Sequence, residues 1–182
     1  MKKTILTILM ATAAFADQPI LDLPPIPLEE VLSPKEGFFY VRFAAAERDL
    51  SHADSILPGL GVGYRRLTGD GAGDISIGGI GRHERKSGQI FWTAPKASYI
   101  HYLQPGEKAS GYVGGGMAWG GVESKGNHFI GMIPSATLGY EFSRKSSILG
   151  FVDLTVSQPA VSVYRSGAFP GPIAELSTGI GF

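Results

Sequence analysis

The stretch that decides the fold is the C-terminal one, Ala174-Glu-Leu-Ser-Thr-Gly-Ile-Gly-Phe182. Ala174, Leu176, Thr178, Ile180 and Phe182 fall on one face, while Glu175, Ser177, Gly179 and Gly181 fall on the other. Strict alternation of this kind is the mark of a β-strand with two unlike surroundings. An apolar strand face needs a cover. Here the small and charged residues make the narrower face.

The same period of two recurs upstream. It predicts eight strands: Gly37–Glu47, Pro58–Leu67, Gly73–Glu84, Phe91–Leu103, Ser110–Val122, Phe129–Phe142, Ile148–Ser157 and Gly171–Phe182. Polar turns separate them at Thr68-Gly-Asp-Gly71, Gln104-Pro-Gly-Glu107 and Ser143-Arg-Lys-Ser146. A weak repeat supports the division. Pro58, Pro95, Pro134 and Pro172 recur at intervals of 37 to 39 residues, each near the start of every second strand. The connections after the first, third, fifth and seventh strands (Arg48–Leu57, Arg85–Ile90, Glu123–His128 and Gln158–Pro170) are expected on the side opposite the tight turns.

Outside the strands lie two other segments. Lys2 and Lys3 precede an apolar run of ten residues, Ile5 to Ala14, and Ala14-Phe15-Ala16 places small residues where a signal peptidase cuts. Residues 1–16 are therefore expected to be a signal peptide, with the mature chain starting at Asp17. The apolar run is too short for a spanning helix, which takes about 20 residues. Residues 17–36 hold five prolines and five acids and read as an extended, Pro-rich periplasmic leader. The division is thus 1–16, 17–36 and a barrel over 37–182.

Composition narrows the function. There is no cysteine, hence no disulfide framework and no lipid-anchored cysteine. Formal net charge is zero, which gives no electrostatic case for nucleic acid. Twenty-six glycines and few helix formers favour strands and tight turns.

Alternation alone leaves two barrels open: a soluble one with its apolar face inside, and a membrane one with that face outside. The charges decide. Arg42, Arg65, Asp74, Arg82, Lys96, Glu141, Asp153 and Glu175 share a face with Gly, Ser or Thr, and Val41, Phe43, Leu60, Val62, Ile75, Ile77, Leu138, Val152 and Leu154 lie opposite. A Lys or Arg in mid-bilayer costs about 2–4 kcal/mol, so charges belong inside. The inward set holds four cations and four anions, enough for a lumen charge network. Eight strands leave an interior that side chains can fill. Tyr64, Tyr99, Tyr102, Tyr140, Phe142 and Phe182 gather near the tight-turn ends, with Trp92 and Trp119 near the other ends, as two interfacial girdles would require.

On these features, the aromatic terminus above all, the chain resembles the small eight-stranded outer-membrane barrels of Gram-negative bacteria, of the OmpA membrane-domain and OmpX type. The resemblance covers Gly37 to Phe182. It implies an all-β, antiparallel up-and-down transmembrane barrel, porin-like in architecture and monomeric, in the outer membrane. Its partners would be outer-membrane lipid, lipopolysaccharide and the barrel-insertion machinery, which reads a C-terminal signal at Leu176, Ile180 and Phe182. It implies no cofactor. It points first to a structural or surface role without catalysis. A small pore or hydrophobic-ligand channel is the alternative, and a lipid A-modifying enzyme the next.

Catalytic chemistry has little in the sequence to stand on. His52, Asp54 and Ser55 share one loop, but no rigid element supports them. None of His52, His83, His101 or His128 has the Ser two residues on that lipid A deacylases of this architecture carry. His83-Glu84 starts like a zinc-protease motif, but Ser87 stands at the second His position. Asp153 and Glu175 are matched by cations and read as salt-bridge partners.

Overall fold

A computed structural model describes residues 36–47, 56–82, 89–124 and 126–182; for residues 47, 82 and 124 it describes the backbone alone. The expected signal peptide, nearly all of the leader, and the His52–Ser55 and His83–Ser87 segments lie outside the described residues.

The described chain is an all-β antiparallel barrel. Its strands are β1 Gly37–Glu47, β2 Leu57–Thr68, β3 Gly71–Arg82, β4 Gln89–Tyr102, β5 Ser110–Ser124, β6 Asn127–Phe142, β7 Leu149–Ser157, β8 Val161–Ser166 and β9 Ile173–Gly181. Each pairs with the next in an up-and-down meander as far as β7. Strand β9 then pairs with β7 on one side and β1 on the other, which closes the sheet. The closing register sets Tyr40 opposite Gly181 and Val41 opposite Ile180. Phe39 and Phe182 extend it by exchanging backbone hydrogen bonds of 3.2 and 2.9 Å. Below, the inner end of the barrel is the one holding Gly37 and Phe182, and the outer end is the opposite one.

Nine segments make eight barrel positions because β7 and β8 share one. Strand β6 pairs with β7 over Ser135–Phe142 and with β8 over His128–Met132. The segment expected as an outer loop, Gln158–Pro170, is therefore partly strand. Its β-branched and aromatic residues Val161, Val163 and Tyr164 favour extended backbone, and the long outer half of β6 offers an edge to pair with. The other outer connection corrected by the structure is Glu123–His128. Glu123 pairs with His128 and Ser124 with Asn127, so the strands run on into that connection, and Gly126 takes the left-handed φ of 78°.

The prolines of the repeat mark irregularities more than strand beginnings. Strand β4 begins at Gln89 and β6 at Asn127, well before Pro95 and Pro134. Ala94 and Pro95 form a bulge, with two residues facing one on each neighbouring strand. The Pro134 carbonyl accepts from Gln158 N–H at 3.0 Å. Within an antiparallel strand, a residue's N–H and C=O point to the same neighbour. The donor that Pro134 lacks would therefore face the break between β7 and β8, where no regular ladder needs it.

The faces follow the alternation. Phe39, Leu60, Ile75, Leu138 and Ile180 are all more than half exposed, on the outside of the barrel. The β7–β9 ladder runs over nine residues, from Leu149 to Ser157. At about 3.3 Å per residue and a tilt near 40°, it stands about 23 Å tall, close to the apolar band of such barrels. Tyr64, Tyr99, Tyr140 and Phe142 are exposed near the inner end, and Trp92 and Trp119 near the outer end. Tyr102 departs from the expected girdle. It is buried, because the bulge at Ala94–Pro95 shifts the alternation and turns Tyr102 inward with Lys96, Ser98 and Ile100.

Candidate functional site

The buried ionisable side chains of the described residues converge in the lumen. It is built in layers. Glu141 on β6 anchors the inner one. Its Oε2 lies 2.7 Å from Arg65 Nη1 of β2, across the lumen. Its Oε1 accepts from Arg144 Nε at 3.1 Å, and Tyr102 donates its hydroxyl to the same carboxylate. Arg65 also pairs with Asp74, Nε to Oδ2 at 3.0 Å, directly across the β2–β3 ladder. The second oxygen of Asp74 accepts from the Tyr40 hydroxyl at 2.9 Å.

Aromatic rings complete this layer. The Arg65 guanidinium lies 5.2–5.7 Å from the ring centroids of Phe38, Tyr40, Tyr112 and Phe151. Small residues opposite give these rings room. A Cβ on Gly63 would run into the Tyr40 ring, and one on Gly139 into the Tyr112 ring. Arg144 closes the inner end. It stacks 3.9 Å from the Tyr102 ring and donates to the Pro105 carbonyl at 2.8 Å, tying two turns together.

The middle layer holds the remaining charges. Asp153 accepts from Tyr112 at 3.1 Å and from Ser177 at 2.6 Å. Arg42 Nη1 lies 3.4 Å from Glu175 Oε1. That distance makes an ion pair, but Glu175 Oε1 lacks an aligned hydrogen bond, so the pair is looser than the Glu141 one. Lys96 is buried here and lines a polar cavity of about 20 Å³ with Asp74 and Asp153. A space of that size takes one water.

The outer layer is apolar. Ala46, Leu57, Ile80, Phe91, Val122, Phe129, Ile133 and Ile173 pack together inside the outer half of the barrel. Phe169 caps them, its ring edge-on to Phe129 at 5.5 Å. The two cavities beside this layer measure about 10 Å³ each.

Seven of the eight residues expected in the lumen network are thus placed in the lumen, and the Arg82 side chain lies outside the described residues. Arg144 joins the set instead, so the described lumen has cations Arg42, Arg65, Lys96 and Arg144 against anions Asp74, Glu141, Asp153 and Glu175. The alternation alone places Arg144 in the turn Ser143-Arg-Lys-Ser146. A signal was present in its spacing, three residues after Glu141. Leu176, Ile180 and Phe182 all face outward on or beside β9.

Among the described residues, no group of His, Cys, Asp and Glu could hold a metal ion. His128 Nδ1 lies 4.0 Å from Glu123 Oε2 on the outer hairpin, and both are exposed. Ser166 of β8 is paired with His128, and catalysis would need its hydroxyl within hydrogen-bond reach of the imidazole.

Architecturally this is the small eight-stranded barrel of bacterial outer membranes, with an outside fit for hydrocarbon and an inside filled by side chains. Among solved structures, Neisserial surface protein A has the same fold, with a TM-score of 0.65 at 9% identity over 80% of this chain and 96% of that one. The N-terminal barrel domain of Pseudomonas aeruginosa OprF matches at a TM-score of 0.49 and 15% identity, over 81% of this chain and 98% of that one. Ail of Yersinia pestis matches at 0.47 and 11%, over 80% and 95%. No family model and no curated relative matches the sequence.

Proposed function

We propose that this protein is an integral outer-membrane barrel with a structural or surface role, and that it neither catalyses a reaction nor conducts ions. The observation that carries the reading is the filled lumen. A hydrogen-bonded charge layer, an ion-paired middle and an apolar layer stand in series, with cavities of about 10 to 20 Å³ among the described residues. An ion crossing the apolar layer would lose its water with nothing to replace it. In this reading the eight inward charges hold one strand to another, and their balance leaves no field to draw a substrate in.

Export by a cleaved signal peptide, delivery through the terminal signal at Leu176, Ile180 and Phe182, a monomeric state, and contact with lipopolysaccharide at the outer rim belong to the same proposal. Planar-bilayer recording on purified protein tests it. The expected trace has no resolvable steps. Steady ohmic conductance would favour the pore instead. Unchanged lipid A mass spectra after gene deletion would separate it from the enzyme.

A further inference from the structure

At the inner end of the barrel, the outward face of the strands carries two basic side chains and no acid among the described residues. They are Arg66 on β2 and His101 on β4, both exposed. Neither meets a carboxylate within ion-pair distance among the described residues. The lumen does not use them, and the apolar exterior does not explain them.

The register makes the two one site. Arg66 pairs with Gly73 and Thr68 with Gly71 across the β2–β3 ladder. Across the β3–β4 ladder, Gly73 pairs with Tyr99 and Gly71 with His101. Arg66 and Thr68 therefore flank β3 on one side, and Tyr99 and His101 flank it on the other, about 10 Å apart at the backbone, twice the strand spacing. The Tyr99 hydroxyl lies over Gly71, where a Cβ would strike it, whereas a Cβ on Gly73 would meet nothing within 4 Å. The cleft over Gly73 thus stays open, with Arg66 at one wall, Tyr99 at the other and exposed Ile75 at its outer end. Its depth follows from the same pairs. Arg66 stands opposite Gly37, the first residue of β1, and Tyr64 and Tyr99 of the inner girdle lie two residues farther out than Arg66 and His101. The basic pair is at headgroup level, and Ile75 enters the apolar band.

We propose that the cleft over Gly73 holds the phosphate of an anionic phospholipid in the periplasmic leaflet. The inference goes beyond the surface role and rests on the membrane reading of the barrel. Arg66 supplies a planar fork of N–H donors matched to phosphate oxygens. The His101 imidazole and the Tyr99 and Thr68 hydroxyls offer further donors at the same level. The acyl chains run outward along Ile75 and Ile77, both exposed. Donors at one depth and bare apolar surface directly beyond them suit an amphiphile, and a free inorganic anion would leave the apolar part unused. The missing acid names the headgroup. A zwitterionic lipid brings an ammonium for which this face has no carboxylate; Asp70 lies beyond it, in the turn after Thr68. Lipopolysaccharide belongs to the leaflet at the other end of the barrel.

The test uses the full chain in nanodiscs made of equal parts phosphatidylglycerol, phosphatidylethanolamine and phosphatidylcholine. Native mass spectrometry then counts the lipids that leave the disc on the folded barrel. A single phosphatidylglycerol is expected to be kept in preference to the other two. Arg66→Gln should cut that retention about tenfold, as the loss of a charge-assisted hydrogen bond does. Gly73→Leu keeps every charge and fills the cleft, and should cut it as much. Arg165→Gln, at the outer end, should leave it unchanged. Equal retention of the three lipids, or wild-type retention by R66Q or G73L, would overturn the proposal. So would an equal loss in R165Q, which would reduce the effect to net charge. Heat-shifted gel mobility, read on every sample, reports whether the barrel has formed. A chain that never enters the discs would sink the membrane reading itself, whereas a folded barrel without lipid preference sinks this inference alone.

Discussion

Arg65 and Glu141, 76 residues apart in sequence, meet across the lumen at 2.7 Å, and each is almost fully buried. Each also has further partners: Asp74 for the arginine, Arg144 and Tyr102 for the glutamate. Removing one member of a buried pair leaves a bare charge and costs about 3–5 kcal/mol. Glu141→Ala should therefore lower the urea stability of the refolded barrel by about that amount. Asp74→Ala should cost less: either change leaves Arg65 one carboxylate, but the Glu141 change also strips Arg144 and Tyr102 of theirs. Equal losses from the two would show that the hub is not at Glu141.

Packing gives a second prediction. Gly139 faces Tyr112 so closely that no Cβ fits between them. Gly139→Val should reduce folding yield and destabilise the barrel by about 1–3 kcal/mol through overpacking. Adding Tyr112→Ala should recover part of that loss, although it also leaves Asp153 one donor short. A double-mutant cycle in urea reads the coupling. Additive losses would mean that the ring moves aside freely.

Much of this architecture was legible in the chain, for a physical reason. Lipid outside and a charged lumen inside impose opposite demands on alternate residues. Arg42 between Val41 and Phe43, or Glu175 beside Leu176, therefore announces both faces. What was hidden depended on breaks in that rule. Counting by twos from Phe91 puts Tyr102 outside, but the bulge at Ala94–Pro95 moves it inside. Strand β8 follows Gln158-Pro159-Ala160, which reads as loop, and its partner is chosen by the surplus length of β6. The apolar outer layer was concealed because Phe91, Phe129 and Ile133 share strands with inward charges such as Lys96 and Glu141. Only their height in the barrel separates the two layers.

Height also sets the cost of a charge on the outside. Leu138 is exposed opposite Leu154, near the middle of the β7–β9 band, and Met132 lies farther out on the same strand, opposite Trp119. Arginine at position 138 should cost about 2–4 kcal/mol, and at position 132 about 0–1 kcal/mol. Equilibrium folding into phospholipid vesicles measures both. Similar values at the two positions would misplace the membrane band drawn from the β7–β9 ladder.

The terminal residue can be split into two roles. Its backbone closes the barrel, exchanging hydrogen bonds with Phe39 at 2.9 and 3.2 Å. Its ring faces outward, 59% exposed, in line with Ile180 and Leu176. Phe182→Ser keeps the backbone and removes the ring. The expected outcome is a urea midpoint shifted by less than about 1 kcal/mol, the loss typical of an altered surface contact. Insertion catalysed by the outer-membrane machinery in proteoliposomes should slow markedly. Deleting Phe182 removes both: about two backbone hydrogen bonds, each worth roughly 1 kcal/mol net, are lost along with the proposed signal. If F182S and the deletion lose stability equally while inserting at the wild-type rate, the aromatic terminus serves closure of the sheet and carries no address.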